Sequence, residues 1–114
     1  MSPRELDLLN GTLDVLVLRA LSFGPMHGLA VARFIRQGSG EAFEILDGAL
    51  YTSLHRMEER GWIDAEWGHS DKGKRAKFYR LTAAGHRALR AERSQWDAYV
   101  AAVARVMRAT PETA

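Results

Sequence analysis

The chain has 114 residues, of which 46% are hydrophobic, carries a formal net charge of +2 and contains no cysteine. This length suits one small domain, whose core is modest unless a partner subunit adds to it. The absence of cysteine excludes disulfides and thiolate metal sites and suits a reducing cytoplasm. Apolar runs such as residues 15–18 are too short to span a bilayer. We therefore expect a cytoplasmic protein with no membrane partner.

Two helices are predicted at the start of the chain. Residues 9–21 are apolar at nearly every helical angle, which predicts a helix that is buried on more than one side and capped by Asn10. A second helix is expected over residues 27–37, and His27 at its start should make a local hydrogen bond rather than bind a ligand. Three apolar side chains of this helix should face inward: Leu29, Ala32 and Ile35.

The third predicted helix has an unusual polar face. It runs from Asp47, the expected N-cap, to the turn at Gly61 (DGALYTSLHRMEERG). Its apolar stripe consists of Leu50, Leu54 and Met57. The opposite face carries Gly48, Thr52, His55, Arg56 and Glu59, with Tyr51 at the edge. A solvated face usually carries lysines and glutamates, whereas hydroxyl, imidazole and guanidinium groups can exchange hydrogen bonds with base edges in DNA.

A β-hairpin with a basic tip is predicted after the third helix. Residues 62–67 and 77–81 alternate between apolar and polar side chains, and the segment between them contains glycine. Five basic side chains oppose Asp71 alone between residues 68 and 81: Lys72, Lys74, Arg75, Lys77 and Arg80. This concentration of charge favours contact with phosphates over a merely solvated turn. Asp64 and Glu66 share one strand face, and pairing with cations of the opposite strand is favoured over acid/base catalysis.

The last predicted helix covers residues 83–108, with Thr82 as its cap and a flexible tail over residues 109–114. A helix of about 25 residues is roughly 37 Å long, too long to bury its whole apolar seam within one small domain. We therefore predict a homodimer in which two such helices pack together beside the first helix. The predicted interface consists of Leu13, Leu16, Leu89, Trp96, Tyr99, Val100, Val103, Val106 and Met107.

Three helices followed by a basic hairpin form the element order of a winged helix-turn-helix. The predicted fold is mostly α with a small β-hairpin. It comprises a winged helix-turn-helix DNA-binding domain over residues 1–82, a C-terminal dimerisation helix over residues 83–108, and the tail. In such folds the helix before the wing enters the major groove of DNA, while the wing meets phosphates or the minor groove.

Four segments of the sequence resemble one known family. They are residues 9–18 (LNGTLDVLVL), 24–28 (GPMHG), 48–63 (GALYTSLHRMEERGWI) and 77–85 (KFYRLTAAG). Over roughly residues 5–108, and in matching order, the chain is similar to the PadR family, which is named for regulators of phenolic acid decarboxylase. The resemblance implies a dimeric bacterial transcription factor, commonly a repressor, with an N-terminal winged helix-turn-helix and a C-terminal dimerisation helix.

Carried over position by position, the resemblance assigns DNA contacts to the third helix and the wing. The predicted contacts are Tyr51, Thr52, Ser53, His55, Arg56, Lys72, Lys74, Arg75 and Lys77. The chain departs from the family pattern at the start of this helix, because Asp47 and Thr52 stand where members often have a Ser-Pro pair and a proline. Some members bind flat aromatic effectors near the dimer seam, which makes Trp96 and Tyr99 candidates for such a site, although aromatic rings also anchor interfaces without a ligand.

Two function classes are compatible with the sequence. The first is a homodimeric repressor that binds a palindromic operator in double-stranded DNA, and the second is a winged-helix protein-interaction module whose basic wing is incidental. An enzyme would need clustered catalytic groups, and the sequence contains no nucleophile elbow, P-loop or dinucleotide loop. The four histidines have no metal-ligand spacing, so neither a metal nor a cofactor is expected.

Overall fold

A computed structural model describes residues 11–113. In chain order its elements are α1 (Thr12–Leu21), β1 (Met26–His27), α2 (Gly28–Gly38), α3 (Asp47–Glu59), β2 (Ile63–His69), β3 (Arg75–Leu81), α4 (Ala83–Arg108) and a 3-10 turn (Pro111–Thr113). The strands form one antiparallel sheet in the order β1-β3-β2. The predicted fold class, a mostly α winged helix with a long C-terminal helix, is confirmed.

Helix α1 lies at the centre of the fold. Its side chains are apolar around most of its circumference, and it contacts α2, α3 and α4 together. The helix begins at Thr12, after Gly11 in the left-handed conformation (φ 83°). Residues 9 and 10, which include the predicted cap Asn10, lie outside the described residues. The buried core consists of Val17, Leu18, Ala20, Leu21, Val31, Ile35, Leu50, Leu54, Met57, Ile63 and Tyr79.

Helix α2 begins one residue later than the sequence predicts. His27 is its N-cap, and the imidazole Nδ1 accepts a hydrogen bond from the backbone N–H of Ala30 at 3.2 Å. The predicted local hydrogen bond of His27 is therefore confirmed. The inward placement of Leu29 is wrong, because its side chain is 64% exposed. Val31 and Ile35, at i and i+4, form the buried face together with Gly28.

Helix α3 has the predicted apolar stripe but a different start. Leu50, Leu54 and Met57 are buried. The N-cap is Leu46, whose carbonyl accepts from the backbone N–H of Leu50 at 3.0 Å, and no side chain caps the helix. Asp47 is therefore not the cap; its carboxylate lies in the first turn, where the helix dipole favours negative charge.

Strands β2 and β3 form the predicted hairpin, and β1 adds a third strand that the sequence does not predict. Met26 pairs with Tyr79 in β3. Asp64 pairs with Arg80, whose Nε donates to the Asp64 Oδ1 at 2.6 Å, so the predicted pairing with the opposite strand is confirmed for this carboxylate. Glu66 lies opposite Phe78 instead.

Helix α4 has the predicted bounds and is attached at its first turn. The Thr82 Oγ1 caps it by accepting from the backbone N–H of Gly85 at 3.1 Å. Gly85 is its only residue of those described that is buried, and the helix continues far beyond the winged domain. Neither α4 nor any other helix within residues 11–113 combines the length and apolarity needed to cross a bilayer. The tail includes the turn Pro111–Thr113.

Candidate nucleic-acid interface

The exposed face of α3 forms a shallow depression lined by polar side chains. It has a volume of about 540 Å³ and is lined by Tyr51, Thr52, His55, Arg56 and Glu59. Thr52 and His55 are exposed. The His55 Nε2 lies 3.4 Å from the Glu59 Oε1, and both side chains are largely in solvent. Hydroxyl, imidazole and guanidinium groups thus share one accessible surface, next to a carboxylate at the C-terminal end of the helix.

Tyr51 joins this surface to the start of α2. Its side chain is half exposed, and its hydroxyl would lie only 2.8 Å from a Cβ placed on Gly28. The ring therefore packs directly on the α2 backbone at Gly28, and a side chain at that position would require the ring to shift. The exposed half of the side chain lies at the edge of the polar face, where helical spacing places Tyr51.

Two predicted DNA contacts, Ser53 and Arg56, donate hydrogen bonds to a residue of α1. Ser53 is 1% exposed, so its side chain is not accessible for the DNA contact that the family resemblance assigns to it. Its Oγ donates to the Oδ1 of Asp14 at 2.6 Å, and the Nη2 of Arg56 donates to the same oxygen at 2.6 Å. Arg56 remains 42% exposed, whereas Asp14 is 13% exposed.

Sequence reasoning missed Asp14. A carboxylate in an otherwise apolar central helix is the signal that could have found it, because a buried charge requires partners. Ser53 and Arg56 are three residues apart and therefore reach the same side of α3.

The tip of the β2–β3 hairpin is a tight turn that holds its charges outward. The backbone N–H of Gly73 donates to the carbonyl of Ser70 at 2.8 Å, and the N–H of Ser70 donates to the carbonyl of Lys74 at 2.8 Å. Gly73 has φ 76°, the left-handed conformation that closes a five-residue hairpin loop. Lys72 and Lys74 are exposed.

The two basic residues nearer the base of the wing, Arg75 and Lys77, contact other side chains of the protein. The Arg75 guanidinium lies over the Trp67 ring at 4.4 Å from its centroid. The Lys77 Nζ is 3.5 Å from the Glu58 Oε1 at the end of α3 and 5.4 Å from the centroid of Tyr79. Lys77 therefore connects the wing to α3. The other three predicted wing contacts are exposed: Lys72, Lys74 and Arg75.

Helix α4 leaves an apolar seam exposed. Six of its large apolar side chains are between 37% and 79% exposed: Trp96, Tyr99, Val100, Val103, Val106 and Met107. The remaining predicted interface residues, Leu13, Leu16 and Leu89, are partly buried against the hydrophobic core. The Trp96 and Tyr99 rings stack with centroids 6.0 Å apart. They line an open cavity of about 370 Å³ with Gly11, Thr12, Val15, Glu92 and Gln95.

The matching family model decides the identity of the chain. The model of the transcriptional regulator PadR-like family matches residues 17–91, which include α2, α3, the wing and the start of α4. The chain belongs to the PadR-like family. It is therefore a transcriptional regulator, and the family is not one of enzymes.

Solved structures of PadR family proteins have the same fold. A PadR family transcriptional regulator from Eggerthella lenta is 30% identical with a TM-score of 0.74, and the match covers 88% of this chain and 85% of that one. A PadR family transcription regulator from Clostridium difficile is 26% identical with a TM-score of 0.72, covering 85% and 99% of the two chains. An uncharacterised protein from Lysinibacillus sphaericus is 29% identical over 79 residues, which are 69% of this chain and 72% of that one.

Proposed function

We propose that this PadR-like regulator is a repressor that binds a palindromic operator in double-stranded DNA as a homodimer. The observation that carries the proposal is the position of an accessible hydrogen-bonding face on α3 beside a wing whose tip holds exposed lysines. A regulator with this pairing can read bases with one element and bind phosphates with the other.

In this proposal α3 enters the major groove. Thr52 and His55 present groups that both donate and accept hydrogen bonds, and Arg56 presents the guanidinium N–H groups that Asp14 does not hold. Tyr51 contributes at the edge through the exposed half of its side chain. Glu59, at the C-terminal end, is repelled by phosphate and should point away from the duplex. Ser53 has no part in the contact because it is buried.

The wing supplies affinity that does not depend on sequence. Lys72, Lys74 and Arg75 are exposed at and beside the tip, where ammonium and guanidinium groups can neutralise phosphates. Lys77 contributes less direct contact, because Glu58 already neutralises part of its charge. Its ion pair with Glu58 instead fixes the angle between the wing and α3.

Dimerisation through α4 gives the regulator its operator symmetry. A helix of 26 residues is about 39 Å long and exposes its apolar seam over its C-terminal half. Exposed apolar side chains in a row of this kind favour pairing with a second copy. A two-fold dimer then presents two α3 helices to the two halves of a palindrome.

The cavity beside the seam suits a small aromatic effector. Trp96 and Tyr99 offer stacked ring faces, and the cavity next to them is about the size of a small flat molecule. Tryptophan fluorescence titrated with flat aromatic compounds tests this part of the proposal. Saturable quenching that is lost in Trp96→Leu supports it, and unchanged fluorescence means that the rings only pack the interface.

Salt dependence distinguishes a DNA-binding regulator from a protein-interaction module. Fluorescence anisotropy of labelled duplexes measures affinity between low and moderate salt. Binding through several phosphate contacts should weaken by orders of magnitude over this range. If the protein does not bind the duplexes even at low salt, the protein-interaction module is favoured.

A further inference from the structure

A mostly buried carboxylate connects the central helix to the exposed face of α3. The Asp14 Oδ1 accepts from both the Ser53 Oγ and the Arg56 Nη2 at 2.6 Å. Asp14 is 13% exposed and Ser53 is 1% exposed, so both groups depend on this cluster for their hydrogen bonds. The cluster crosses from α1 to α3, and its Arg56 lines the depression on the exposed face of α3.

The contact with Asp14 limits the directions in which the Arg56 guanidinium can point, and it offsets the positive charge of that group. Arginine presents five N–H donors in a rigid planar fork, so anchoring Nη2 limits where the other donors can point. The Asp14 carboxylate also lies close enough to cancel most of the positive field of Arg56. An unpaired arginine at this position would attract any phosphate, whereas a paired one gains most from a partner with matching hydrogen-bond geometry.

We infer that Asp14 is a positioning residue that sets the sequence specificity of the regulator. It holds Arg56 ready for a base edge and lowers the attraction of α3 for the phosphates of unrelated DNA. The inference rests on the proposed function, because it assumes that α3 contacts DNA. It assigns a role in recognition to a residue that lies behind the recognition face and touches no nucleic acid.

Asp14→Asn is the variant that tests this role. The amide keeps the shape and an oxygen that can still accept from Ser53, while it removes the charge and replaces the other oxygen by an NH2 donor. Affinity for unrelated duplexes should rise on the order of tenfold at about 50 mM salt, and the slope of log K against log salt should steepen by about 0.9, the value for one added phosphate contact. Affinity for the selected operator should not rise in step, so the ratio of specific to non-specific affinity should fall at least about tenfold.

Two further variants separate positioning from simple structural support. Asp64→Asn removes the charge from an equally short carboxylate-arginine contact, with Arg80 on the wing strands, and should leave specificity unchanged. Ser53→Ala removes the buried hydroxyl but keeps the contact between Asp14 and Arg56, so it should lower the melting temperature without changing the specificity ratio. Thermal melts of all variants show how much of each effect comes from folding.

The outcomes distinguish this inference from the proposed function. If wild type binds its operator selectively and Asp14→Asn keeps the same specificity ratio and salt slope, the inference is overturned and the function stands. A parallel loss of specific and non-specific affinity with a lower melting temperature also overturns it, because Asp14 is then only structural. If wild type binds no DNA at low salt, the proposed function itself fails.

Discussion

Gly85→Ala should detach α4 from the winged domain or strain the joint between them. A Cβ at this position would lie 1.9 Å from the carbonyl oxygen of Trp62, whereas real Cβ atoms essentially never come within 3.0 Å of a neighbour. The obstacle is backbone, so one of the two segments must move by about 1 Å or more. The Trp62 carbonyl also accepts from the backbone N–H of Thr82 at 3.0 Å. The Thr82 hydroxyl donates to the Gly61 carbonyl at 2.7 Å and also approaches the Trp62 oxygen at 3.1 Å, and the movement puts these bonds at risk.

The size of the effect follows from these contacts. Overpacking costs about 1–3 kcal/mol. Two weakened hydrogen bonds add about 1–3 kcal/mol. The higher helix propensity of alanine stabilises the variant by about 1 kcal/mol and offsets part of this cost. The net destabilisation is therefore about 3 kcal/mol, which lowers the melting temperature by on the order of 15 °C for a domain of this size.

Circular dichroism melts at matched protein concentration measure this effect. Gly38→Ala is the control, because Gly38 also lies in a helix and nothing stands within 4 Å of its added Cβ. It should melt within a few degrees of wild type or slightly above it. If Gly85→Ala melts like wild type, or if both variants fall equally, the close approach of α4 to Trp62 is not what holds the helix in place.

Three further perturbations test other parts of the account. Replacing both Lys74 and Arg75 with alanine should weaken binding to all duplexes similarly and make the salt slope shallower by about 1.8, and unchanged non-specific affinity would exclude the wing from the contact. Val103→Asp should convert the proposed dimer to a folded monomer, because a charge buried in the proposed seam costs several kcal/mol; sedimentation that still shows a dimer would place the interface elsewhere. Burial raises the pKa of the Tyr79 phenol, so the folded state keeps its proton at pH values where the unfolded chain loses it. Stability should therefore fall as pH rises above about 10, and Tyr79→Phe should flatten this fall in melts from pH 9 to 11.

Elements with strong local signals were predictable from the sequence. The bounds of α4 follow from its cap at Thr82 and its long amphipathic pattern, and the hairpin follows from alternation around a glycine-bearing turn. The two-residue strand β1 carries no such signal. Met26 and His27 are a strand only because β3 pairs with them, which is a tertiary effect.

The polar residues of α3 show where sequence reasoning about a site fails. Helical spacing separates an apolar stripe from a polar face, but it does not reveal which polar side chains have partners on another helix. Ser53 and Arg56 meet Asp14, which is 39 residues from Ser53 in the chain. Thr52 and His55 meet no such partner among the described residues and remain exposed, as the spacing predicts. The start of α3 was missed for a related reason, because the backbone carbonyl of Leu46 begins the helix without help from a side chain.

Selection of bound duplexes from a random DNA pool is the most direct test of the proposed function. The full chain is used, and the enriched sequences are aligned after several rounds at moderate salt. A homodimer that reads DNA with two α3 helices should enrich a palindrome whose half-sites have centres about one helical turn, roughly 34 Å, apart. A pool that stays random, or one that yields single half-sites without two-fold symmetry, would contradict recognition by a symmetric dimer.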